Sequence, residues 1–306
     1  MTAVSAEIAT ATTLLADAGI DTARVDADRL MADVLGIEIG RLLLVDGIDD
    51  AQRTAFRAAV ARRATREPLQ HIIGRVGFGP LELAVGPGVF IPRPETELIL
   101  EWAVDAASSV DGSRPVGVAD LCSGSGALAL CIATMVPRAE VAAVEEDTEA
   151  LKWLQRNVVE QGLGERVRVC AADVTDAVAM HDVLPDGSCD VIVSNPPYVP
   201  ADAQVSAEVA HDPARAVFGG ADGMSVITPM VHVSSWLVVG ERGGGQRQAL
   251  TVEECDELRL GLVLRAARRQ PAELHLGPVA RQRRPDDGPA DPLQVPGLEQ
   301  CPTRFQ

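Results

Sequence analysis

The chain has 306 residues, of which 47% are apolar, and it carries a net charge of −17 at pH 7. This length is sufficient for two modest domains, and no apolar run reaches the ~20 residues that span a bilayer, so we expect no membrane partner. Residues 240–306 contain ten Arg and ten Asp or Glu, so the whole excess lies in residues 1–239, with 17 basic against 34 acidic side chains. Such a surface repels a phosphate backbone, and we expect no bulk nucleic acid as a partner.

The cysteines and the N-terminus predict a cytoplasmic protein without a bound metal. The six cysteines are scattered, with no CxxC pair and no His at ligand spacing. This distribution argues against a structural zinc site and fits reduced thiols. The opening stretch "MTAVSAEIAT" lacks the basic cluster and the apolar run of a signal peptide.

Residues 1–72 predict a small helical domain. Residues 5–18 have helical spacing of apolar positions, and "ARVDADRLMADVLG" predicts a second helix. A third helix is expected to end near Arg66. This domain is either a supporting bundle or a substrate-recognition module, and the segment alone leaves both open. The candidate N-caps are Asp21 or Thr22 for the second helix and Asp49 or Asp50 for the third.

Residues 73–92 predict a linker hairpin, because "RVGFGPLELAVGPGVFI" is rich in Gly, Val and Phe with period-2 segments. A helix follows at "PRPETELILEWAVDAA", with Pro94 suited to its first turn. Over residues 93–240 short apolar strands alternate with helices: "VGVADL" before helix 126–135, "VAAVE" before helix 148–161, then "VRVCA" and "DVIVSN". This alternation predicts an α/β fold with a doubly wound, mostly parallel sheet, whose ligands bind beyond the carboxyl ends of the strands.

The stretch "VADLCSGSGALAL" predicts a nucleotide-binding turn. Gly124 and Gly126 let the backbone approach a ligand, and the following helix offers free N–H donors. Glu145, which ends the next strand, can bind a ribose diol. Taken alone, these residues fit a nicotinamide, a flavin or a methionine-derived nucleotide equally well, and a tight turn without a ligand is the alternative.

Acidic residues at three strand ends favour S-adenosylmethionine among these ligands. The loop lacks the G-x-G-x-x-G spacing of pyrophosphate binders, and Asp120 would repel a phosphate but accept hydrogen bonds from an ammonium group. S-adenosylmethionine carries a sulfonium and an ammonium group and no phosphate. Asp173, after the third strand, is either a contact to the adenine amino group or an ordinary turn aspartate.

Cys122 has two interpretations. Its place near a helix N-terminus favours a thiolate, as in a nucleophile or a redox group. The sequence places no His or second Cys to activate or resolve it. We therefore interpret Cys122 as a small residue that fills a position in the loop.

The stretch "VIVSNPPYVP" ends a strand in an amide, two prolines and a phenol. A planar –NH₂ group is a poor nucleophile because its lone pair is delocalised, so it must be oriented before it can attack a methyl carbon. The side-chain oxygen of Asn195 and the backbone carbonyl of Pro196 can accept its two N–H groups, and Tyr198 can pack against its planar group. The catalytic gain is mainly orientation, and no general base is needed before transfer.

This Asn-Pro-Pro-Tyr edge resembles that of the methyltransferases that modify amino groups of adenine, cytosine, guanine or glutamine amides. More specifically, "EPLQHIIGRVGFGPLELAVGPGVFIPRPETELILE", "DLCSGSGALAL", "ALKWLQRN", "SNPPYVP" and "AVFGGADGM" resemble, in order, the HemK/PrmC family of release factor glutamine methyltransferases, over residues 1 to about 235. The resemblance implies a Rossmann-like class I methyltransferase with helices that help to dock peptide chain release factors. It also implies N5-methylation of the Gln in their Gly-Gly-Gln loop from S-adenosylmethionine, and we expect a monomer.

The resemblance also implies site residues. Asn195 matches a position that cofactor and substrate share. Substrate contacts are expected at Pro196, Pro197 and Tyr198. Cofactor contacts are expected at Cys122, Ser123, Gly124, Ser125, Gly126, Glu145 and Val174.

Near the site, the resemblance implies that "FIPRPETE" packs beside it, which makes Arg93 and Glu95 either supports of the site or ordinary ion pairs at a helix start. Two residues of the site depart from the family pattern. Cys122 stands where the family usually has Gly, which matters only if the backbone there needs a positive φ. Glu145 replaces a common Asp.

The tail, residues 241–306, also departs from the family pattern. After "MVHVSSWL", "VVGERGGGQRQAL" replaces a Pro-Gly-Gly turn, a fifth strand and a closing strand pair. Residues 271–306 contain seven prolines and one aromatic residue, a composition that favours disorder. We hypothesise that the reading frame changed near residue 237, in which case the sheet loses its last strands and exposes an edge.

Two other functions stay open at this point. A nucleic-acid amino-methyltransferase, acting on adenine N6 or guanine N2, would share the same chemistry, although the acidic charge argues against it. The tail leaves a third function, in which the protein binds the cofactor without catalysis or is a catalytically impaired homologue.

Overall fold

Helices form the N-terminal part of the chain. The computed structural model describes residues 3–110, 112, 114–237 and 262–265. The apolar faces of the first helices enclose one core around Leu15, Leu30 and Phe56, each at most 1% exposed. The elements are α1 (Ala3–Asp17), α2 (Ala23–Leu35), a 3₁₀ turn (Ile39–Leu44), α3 (Asp50–Ala64) and α4 (Leu69–Ile73). Among the described helices, none has both the length and the apolar character needed to cross a membrane.

The starts of α2 and α3 differ in how they are capped. The side chain of Asp49 accepts from the Gln52 backbone N–H at 2.7 Å, and the Gln52 side chain accepts from the Asp49 N–H at 3.0 Å, which together form a capping box. Thr22 occupies the cap position of α2, but its hydroxyl lies 3.0 Å from Asp26 and makes no capping bond. Of the two, only α3 therefore has a side-chain cap.

Arg63, in α3, joins the helical part of the chain to the segment that contains Glu208. Its side chain is buried between Asp26, 2.7 Å from Nε, and Glu208, 3.2 Å from Nη2. Arg66 adds a second bond to Glu208 at 2.8 Å. Because a carboxylate such as Asp26 is costly to bury without a partner, this ion cluster fixes the helices against the segment that contains Glu208.

A short hairpin follows the helices, with β1 (Arg75–Phe78) antiparallel to β2 (Leu81–Ala84). Asn157, from "ALKWLQRN", holds β2 in place with a fully buried side chain. Its Oδ1 accepts from Ala84 N–H at 2.7 Å, and its Nδ2 donates to the carbonyls of Ala84, at 3.0 Å, and Ser125, at 2.9 Å. One amide side chain thus bonds the hairpin to the loop after the next strand.

A five-stranded sheet of order β5-β4-β3-β6-β7 follows the hairpin. The first four strands in this order are parallel, and β7 is antiparallel to β6. The strands are β3 (Val116–Leu121), β4 (Ala139–Glu145), β5 (Val167–Ala171), β6 (Val191–Ser194) and β7 (Leu262–Arg265). The helices are α5 (Glu97–Ser108), α6 (Ala127–Met135), α7 (Thr148–Glu160), α8 (Ala177–Val183), α9 (Ala214–Val217) and α10 (Ile227–Ser234), with 3₁₀ turns at Pro94–Thr96 and Val209–His211.

Both faces of this sheet are buried. Val116 and Val118 of β3 pack into one apolar cluster with α5 and α6, whereas Ala119 and Leu121 pack into a second one with α10. This alternation follows from the period of 2 in a strand and requires helices on both sides. The predicted doubly wound, mostly parallel sheet is confirmed.

The tail contributes one described strand. Leu262 of β7 pairs with Ser194 of β6, and Arg265 pairs with Val191. Along this stretch β6 therefore has a neighbouring strand, in contrast to the exposed edge expected after loss of the last strands. The run "LVL" in β7 has the β-branched and apolar residues that favour strand pairing. The other predictions for residues 238–306, including disorder and a changed reading frame, lie outside the described residues.

Candidate active site

A cavity of about 320 Å³ lies at the carboxyl ends of β3, β4, β5 and β6. Because the parallel register aligns Leu121 with Val144 and Ser194, the loops after these strands meet at one edge. The segment 88–92 after the hairpin forms another wall. The predicted site residues that line the cavity are Asp120, Cys122, Ser123, Gly124, Ser125, Glu145, Asp173, Val174, Asn195 and Pro197.

The loop after β3 needs left-handed backbone at several positions. Gly124 has φ +56°, and a Cβ built on it would meet no atom within 4 Å, so this glycine leaves open space on the cavity wall. Cys122 has φ +59°, a conformation that costs a residue with a side chain about 1 kcal/mol or more. The position where the family usually has Gly is therefore one where Gly would relieve strain.

Gly126 does not line the cavity and lies behind the loop. Its φ is +87°, and a Cβ there would lie 2.5 Å from Leu154 Cδ1 and 3.1 Å from Leu130 Cδ1. It precedes α6 in a left-handed conformation. Its absence of a side chain serves close packing of the loop against α6 and α7, and its predicted cofactor contact stays a prediction.

Asp120 lines the cavity and has one unpaired carboxylate oxygen. The residue is 1% exposed, and its Oδ2 accepts from Ala129 N–H at 3.1 Å. In the described part of the chain, no hydrogen-bond partner reaches its Oδ1. Burial, with a smaller contribution from the nearby Glu145, raises the pKa of Asp120 to about 7. Such an atom lacks the partner that buried oxygens normally have.

Glu145 is fixed by three backbone N–H groups. It accepts from Gly124 at 2.8 Å, from Glu146 at 3.0 Å and from Asp147 at 2.9 Å. Burial nevertheless raises the pKa of its carboxyl above the usual value. Because a carboxylate offers about four lone-pair positions, Glu145 retains acceptor capacity toward the cavity.

The Cys122 thiol is not activated. Burial raises its pKa, and the carboxylates of Glu145 and Asp120 raise it further. This environment favours the thiol over the thiolate, in agreement with the interpretation of Cys122 as a residue that fills the loop. The helix N-terminus that suggested a thiolate is outweighed by burial and two acids.

Asp173 and Val174 follow β5. The Asp173 Oδ1 accepts from the Thr175 N–H at 2.8 Å and from its hydroxyl at 2.7 Å, which is the geometry of a turn aspartate. Val174 is 5% exposed and belongs to the apolar cluster under α10. Both residues line the cavity, so Asp173 combines a turn role with access to a ligand.

Asn195 lies at the end of β6 and is bonded to a residue that the sequence reasoning did not single out. Its Nδ2 donates to Thr96 Oγ1 at 3.3 Å, and both residues line the cavity. Thr96 belongs to "FIPRPETE". That segment was expected to pack beside the site, which was the available signal, but Arg93 and Glu95 were the residues considered.

Arg93 forms its ion pair with a residue far along the chain. It forms an ion pair with the buried Asp212, whose other carboxylate oxygen accepts from Ile91 N–H at 3.4 Å, and its guanidinium lies 5.2 Å from the centre of the Phe90 ring. Burial raises the pKa of the Asp212 carboxyl despite this partner. Arg93 therefore supports the segment next to the cavity and makes a structural ion pair.

The two prolines and Tyr198 are held by the "AVFGGADGM" segment. Val199 N–H donates to the Val217 carbonyl at 3.0 Å, and Gly219 N–H donates to the Val199 carbonyl at 2.9 Å. A Cβ on Gly219 would lie 2.6 Å from the Pro197 carbonyl oxygen, and one on Gly223 would overlap that of Tyr198. This close backbone packing explains why the strand ends in a rigid edge.

Pro196 and Tyr198 do not line the cavity itself. Pro196 is buried, and Tyr198 is half-buried against the cluster under α10. Burial raises the pKa of the Tyr198 phenol, and the nearby Glu95 adds to this effect. Their substrate contacts stay predictions, with Tyr198 contributing to the packing of the rim.

Comparison with known proteins assigns this arrangement to a family. Residues 8–74 match the family model described as PrmC N-terminal domain, and residues 106–216 match the one described as Methyltransferase small domain. A release factor glutamine methyltransferase of Mycolicibacterium smegmatis is 49% identical over 250 residues, which are 80% of this chain and 83% of the relative. The chain belongs to the release factor glutamine methyltransferase family. A member from Streptomyces coelicolor is 44% identical over 259 residues, 84% of this chain and 86% of its own.

Solved structures resemble this release factor glutamine methyltransferase chain more weakly. The hMettl16 catalytic domain in complex with MAT2A 3'UTR hairpin 1 has a TM-score of 0.42 at 15% identity, over 57% of this chain and 62% of its own. A SAM-dependent methyltransferase from Agrobacterium tumefaciens has a TM-score of 0.37 at 20% identity, over 54% of this chain and 48% of its own. The family assignment does not depend on these similarities.

S-adenosylmethionine fits the lining that this family member presents. The unpaired Oδ1 of Asp120 can accept from an ammonium group, and the open space beside Gly124 admits a ligand close to the backbone. The lining contains further acids at Glu145, Glu146 and Asp147. This charge suits a cationic nucleoside and opposes a pyrophosphate.

Proposed function

We propose that this protein transfers a methyl group from S-adenosylmethionine to the side-chain amide nitrogen, N5, of the Gln in the Gly-Gly-Gln motif of peptide chain release factors. The curated relatives that support this carry the name release factor glutamine methyltransferase. The observation that carries the proposal is the Asn195 amide at the rim of an acidic cavity, with its Nδ2 already donating to Thr96.

The side chain of Asn195 orients the substrate amide. Because Nδ2 is bonded to Thr96, the Oδ1 acceptor is left for an incoming N–H. The Pro196 carbonyl supplies a second acceptor on the same rigid edge, so the two N–H groups of an amide are held and its nitrogen lone pair is aimed. This orientation supplies the main catalytic gain. When bound, S-adenosylmethionine would supply a methyl carbon on a positively charged sulfur; transfer to N5 would leave S-adenosylhomocysteine, and the methylated amide nitrogen would release one proton.

The acidic residues of the cavity hold the cofactor. Asp120 accepts from its ammonium group, Glu145 from its ribose hydroxyls and Asp173 from its adenine amino group, as the sequence predicts. The rim at Asn195 faces cofactor and substrate together, and Pro196, Pro197 and Tyr198 contact the substrate glutamine. Mutation of the acidic residues should therefore weaken cofactor binding, whereas mutation of the rim should mainly affect the orientation of the substrate.

The remaining parts of the proposal concern partners and organisation. The helical domain, residues 1–72, docks the release factor, the hairpin segment 73–92 links it to the methyltransferase domain 93–240, and the enzyme acts as a cytoplasmic monomer. The excess of acidic side chains, 34 against 17 basic ones in residues 1–239, supports a protein substrate over bulk nucleic acid. The relatives likewise do not favour a nucleic-acid amino-methyltransferase.

Mass spectrometry tests the proposal directly. A release factor, a tRNA and a DNA duplex are incubated side by side with the protein and S-adenosylmethionine. We expect a gain of one methyl group on the Gly-Gly-Gln peptide alone. Asn195→Ala should abolish this transfer while cofactor affinity stays within a few-fold of wild type, because Asn195 orients the substrate. Methylation of tRNA or DNA with an unmodified release factor, or full activity of Asn195→Ala, would contradict the proposal.

A further inference from the structure

Thr96 stands at a helix start but does not cap the helix. It is the last residue of the 3₁₀ turn Pro94–Thr96 and the residue before α5, and it is 8% exposed. A Thr at this position ordinarily accepts a hydrogen bond from the backbone N–H two or three residues later. Its side chain makes no such bond here. The hydroxyl oxygen instead accepts from Asn195 Nδ2 at 3.3 Å.

This bond fixes the Asn195 amide at the rim of the cavity, with Nδ2 on the side of Thr96. A primary amide has one acceptor oxygen and one donor NH₂ group of nearly the same shape, and a half turn exchanges them. With Oδ1 toward the substrate, the Asn195 amide accepts a hydrogen bond from a substrate N–H group. After a half turn, the NH₂ group of Asn195 would face the N–H groups of the substrate, and no hydrogen bond could form. A hydroxyl can accept from Nδ2 or donate to Oδ1, so Thr96 fixes the position of the amide; in the structure the bonded end is Nδ2, which leaves Oδ1 for the substrate.

We propose that Thr96 is a positioning residue for methyl transfer, which acts by holding the acceptor Oδ1 of Asn195 toward the substrate amide. The inference rests on the function proposed above, in which Asn195 orients the substrate amide. Thr96 in turn positions Asn195. Thr96 itself does not touch the reacting atoms.

The surroundings of Thr96 are rigid enough for this role. Its own N–H donates to the Arg93 carbonyl at 3.0 Å, and Arg93 is paired with the buried Asp212. On the other side, Ile99 and Leu100 of α5 are buried in the core beside β3. A hydroxyl on a fixed backbone restricts its partner more than one on a mobile loop does.

Two matched pairs of variants isolate the hydroxyl. Thr96→Val has nearly the shape of the wild-type side chain and lacks only the oxygen, and Thr96→Ser and Thr96→Ala differ from each other by the same atom. We expect kcat to fall about tenfold in Thr96→Val, and about tenfold in Thr96→Ala relative to Thr96→Ser, which is the effect of one hydrogen bond. The KM for release factor, the Kd for S-adenosylmethionine measured by calorimetry and the melting temperature should change little within each pair.

The outcomes separate this inference from the proposed function. If wild type methylates the release factor and the hydroxyl-free member of each pair is equally fast, Thr96 does not position Asn195. Equal losses in Thr96→Ser and Thr96→Ala would likewise overturn the role, since they would assign the effect to lost packing. If Thr96→Val does not fold, the Ser and Ala variants decide. A wild type without any transfer would contradict the proposed function and, with it, this inference.

Discussion

Arg215 and Asp147 form an ion pair across the lining of the cavity. Arg215 Nη1 lies 3.0 Å from Asp147 Oδ2, and both residues line the cavity. Asp147 also caps α7, because its Oδ1 accepts from the backbone N–H groups of Glu149 and Ala150 at 2.8 and 3.0 Å. The pair thus joins the segment after the Asn-Pro-Pro-Tyr edge to the start of α7.

Removal of this ion pair should speed the release of S-adenosylmethionine. Arg215 is 63% exposed, so the pair is weak, and we expect Arg215→Ala to raise the dissociation rate by about two- to fivefold at low salt. The difference from wild type should shrink as salt rises. Stopped-flow measurements at several ionic strengths check this. Arg24→Ala, which breaks an exposed pair within α2, is the control and should have no effect.

Affinity for S-adenosylmethionine should fall below neutral pH. Asp120 has a pKa of about 7 in the unliganded protein, and only its ionised form pairs with an ammonium group. We expect the affinity to fall about tenfold per pH unit below 7, with binding that releases a proton, and to fall again above pH ~8 as the cofactor's amino group loses its charge. Calorimetry in buffers of different ionisation enthalpy measures this. Asp120→Asn should bind S-adenosylmethionine weakly, and its affinity should not fall further below pH 7. If the fall in affinity below pH 7 is unchanged in this variant, a group other than Asp120 causes it.

Stability of the unliganded protein should change with pH in the opposite direction. The folded-state pKa of Asp120, about 7, lies above the unfolded value of about 3.9. Its contribution to stability is therefore fully present below pH 4 and is lost as pH rises through 7. Between pH 6 and 8 the melting temperature of wild type should fall more steeply than that of Asp120→Asn. Equal slopes would show that Asp120 is already ionised at pH 6.

Asn157→Ala should be among the more destabilising single substitutions. It removes three buried hydrogen bonds, to the Ala84 N–H and to the carbonyls of Ala84 and Ser125. We expect a loss of about 3 kcal/mol or more in the free energy of unfolding, measured by urea denaturation. Gln161→Ala is the matched control, because this partly exposed side chain bonds the same strand at Glu82, and it should cost less than about 1 kcal/mol. Similar losses in both would show that burial is not decisive.

The two glycines of the β3 loop should respond differently to alanine. Gly126→Ala places a methyl group 2.5 Å from Leu154 and should lower the free energy of unfolding by about 2 kcal/mol or more. Gly124→Ala points into open space, so it should cost only the ~1 kcal/mol of a left-handed residue but should weaken cofactor binding. Denaturation and calorimetry on both variants check this; equal affinity of Gly124→Ala and wild type would place the cofactor elsewhere.

The sequence predicts relationships between neighbours in the chain better than those between distant residues. The sequence alone located the strand ends at Asp120, Glu145 and Asn195, because apolar runs stop beside these residues. A parallel sheet brings such strand ends together at one edge. The bond between Thr96 and Asn195 joins residues 99 positions apart. No local pattern distinguishes it from an ordinary helix cap.

Two other features depend on packing in the same way. The amide of Asn157 looks like a polar residue on a helix surface, yet it is fully buried because the hairpin covers it. Cys122 gives no sign in its side chain that its φ is +59°; only the comparison with a Gly in the family suggested the question.

The Arg63 cluster couples the N-terminal helices to the segment around Glu208. The Glu208 carboxylate accepts hydrogen bonds from Arg63 of α3 and from Arg66, which follows α3. Replacing the N-terminal helices with those of a relative should therefore affect the segment around Glu208 as well. A chimera with foreign N-terminal helices should also carry the matching segment around Glu208, because Glu208 otherwise loses its bonds to Arg63 and Arg66.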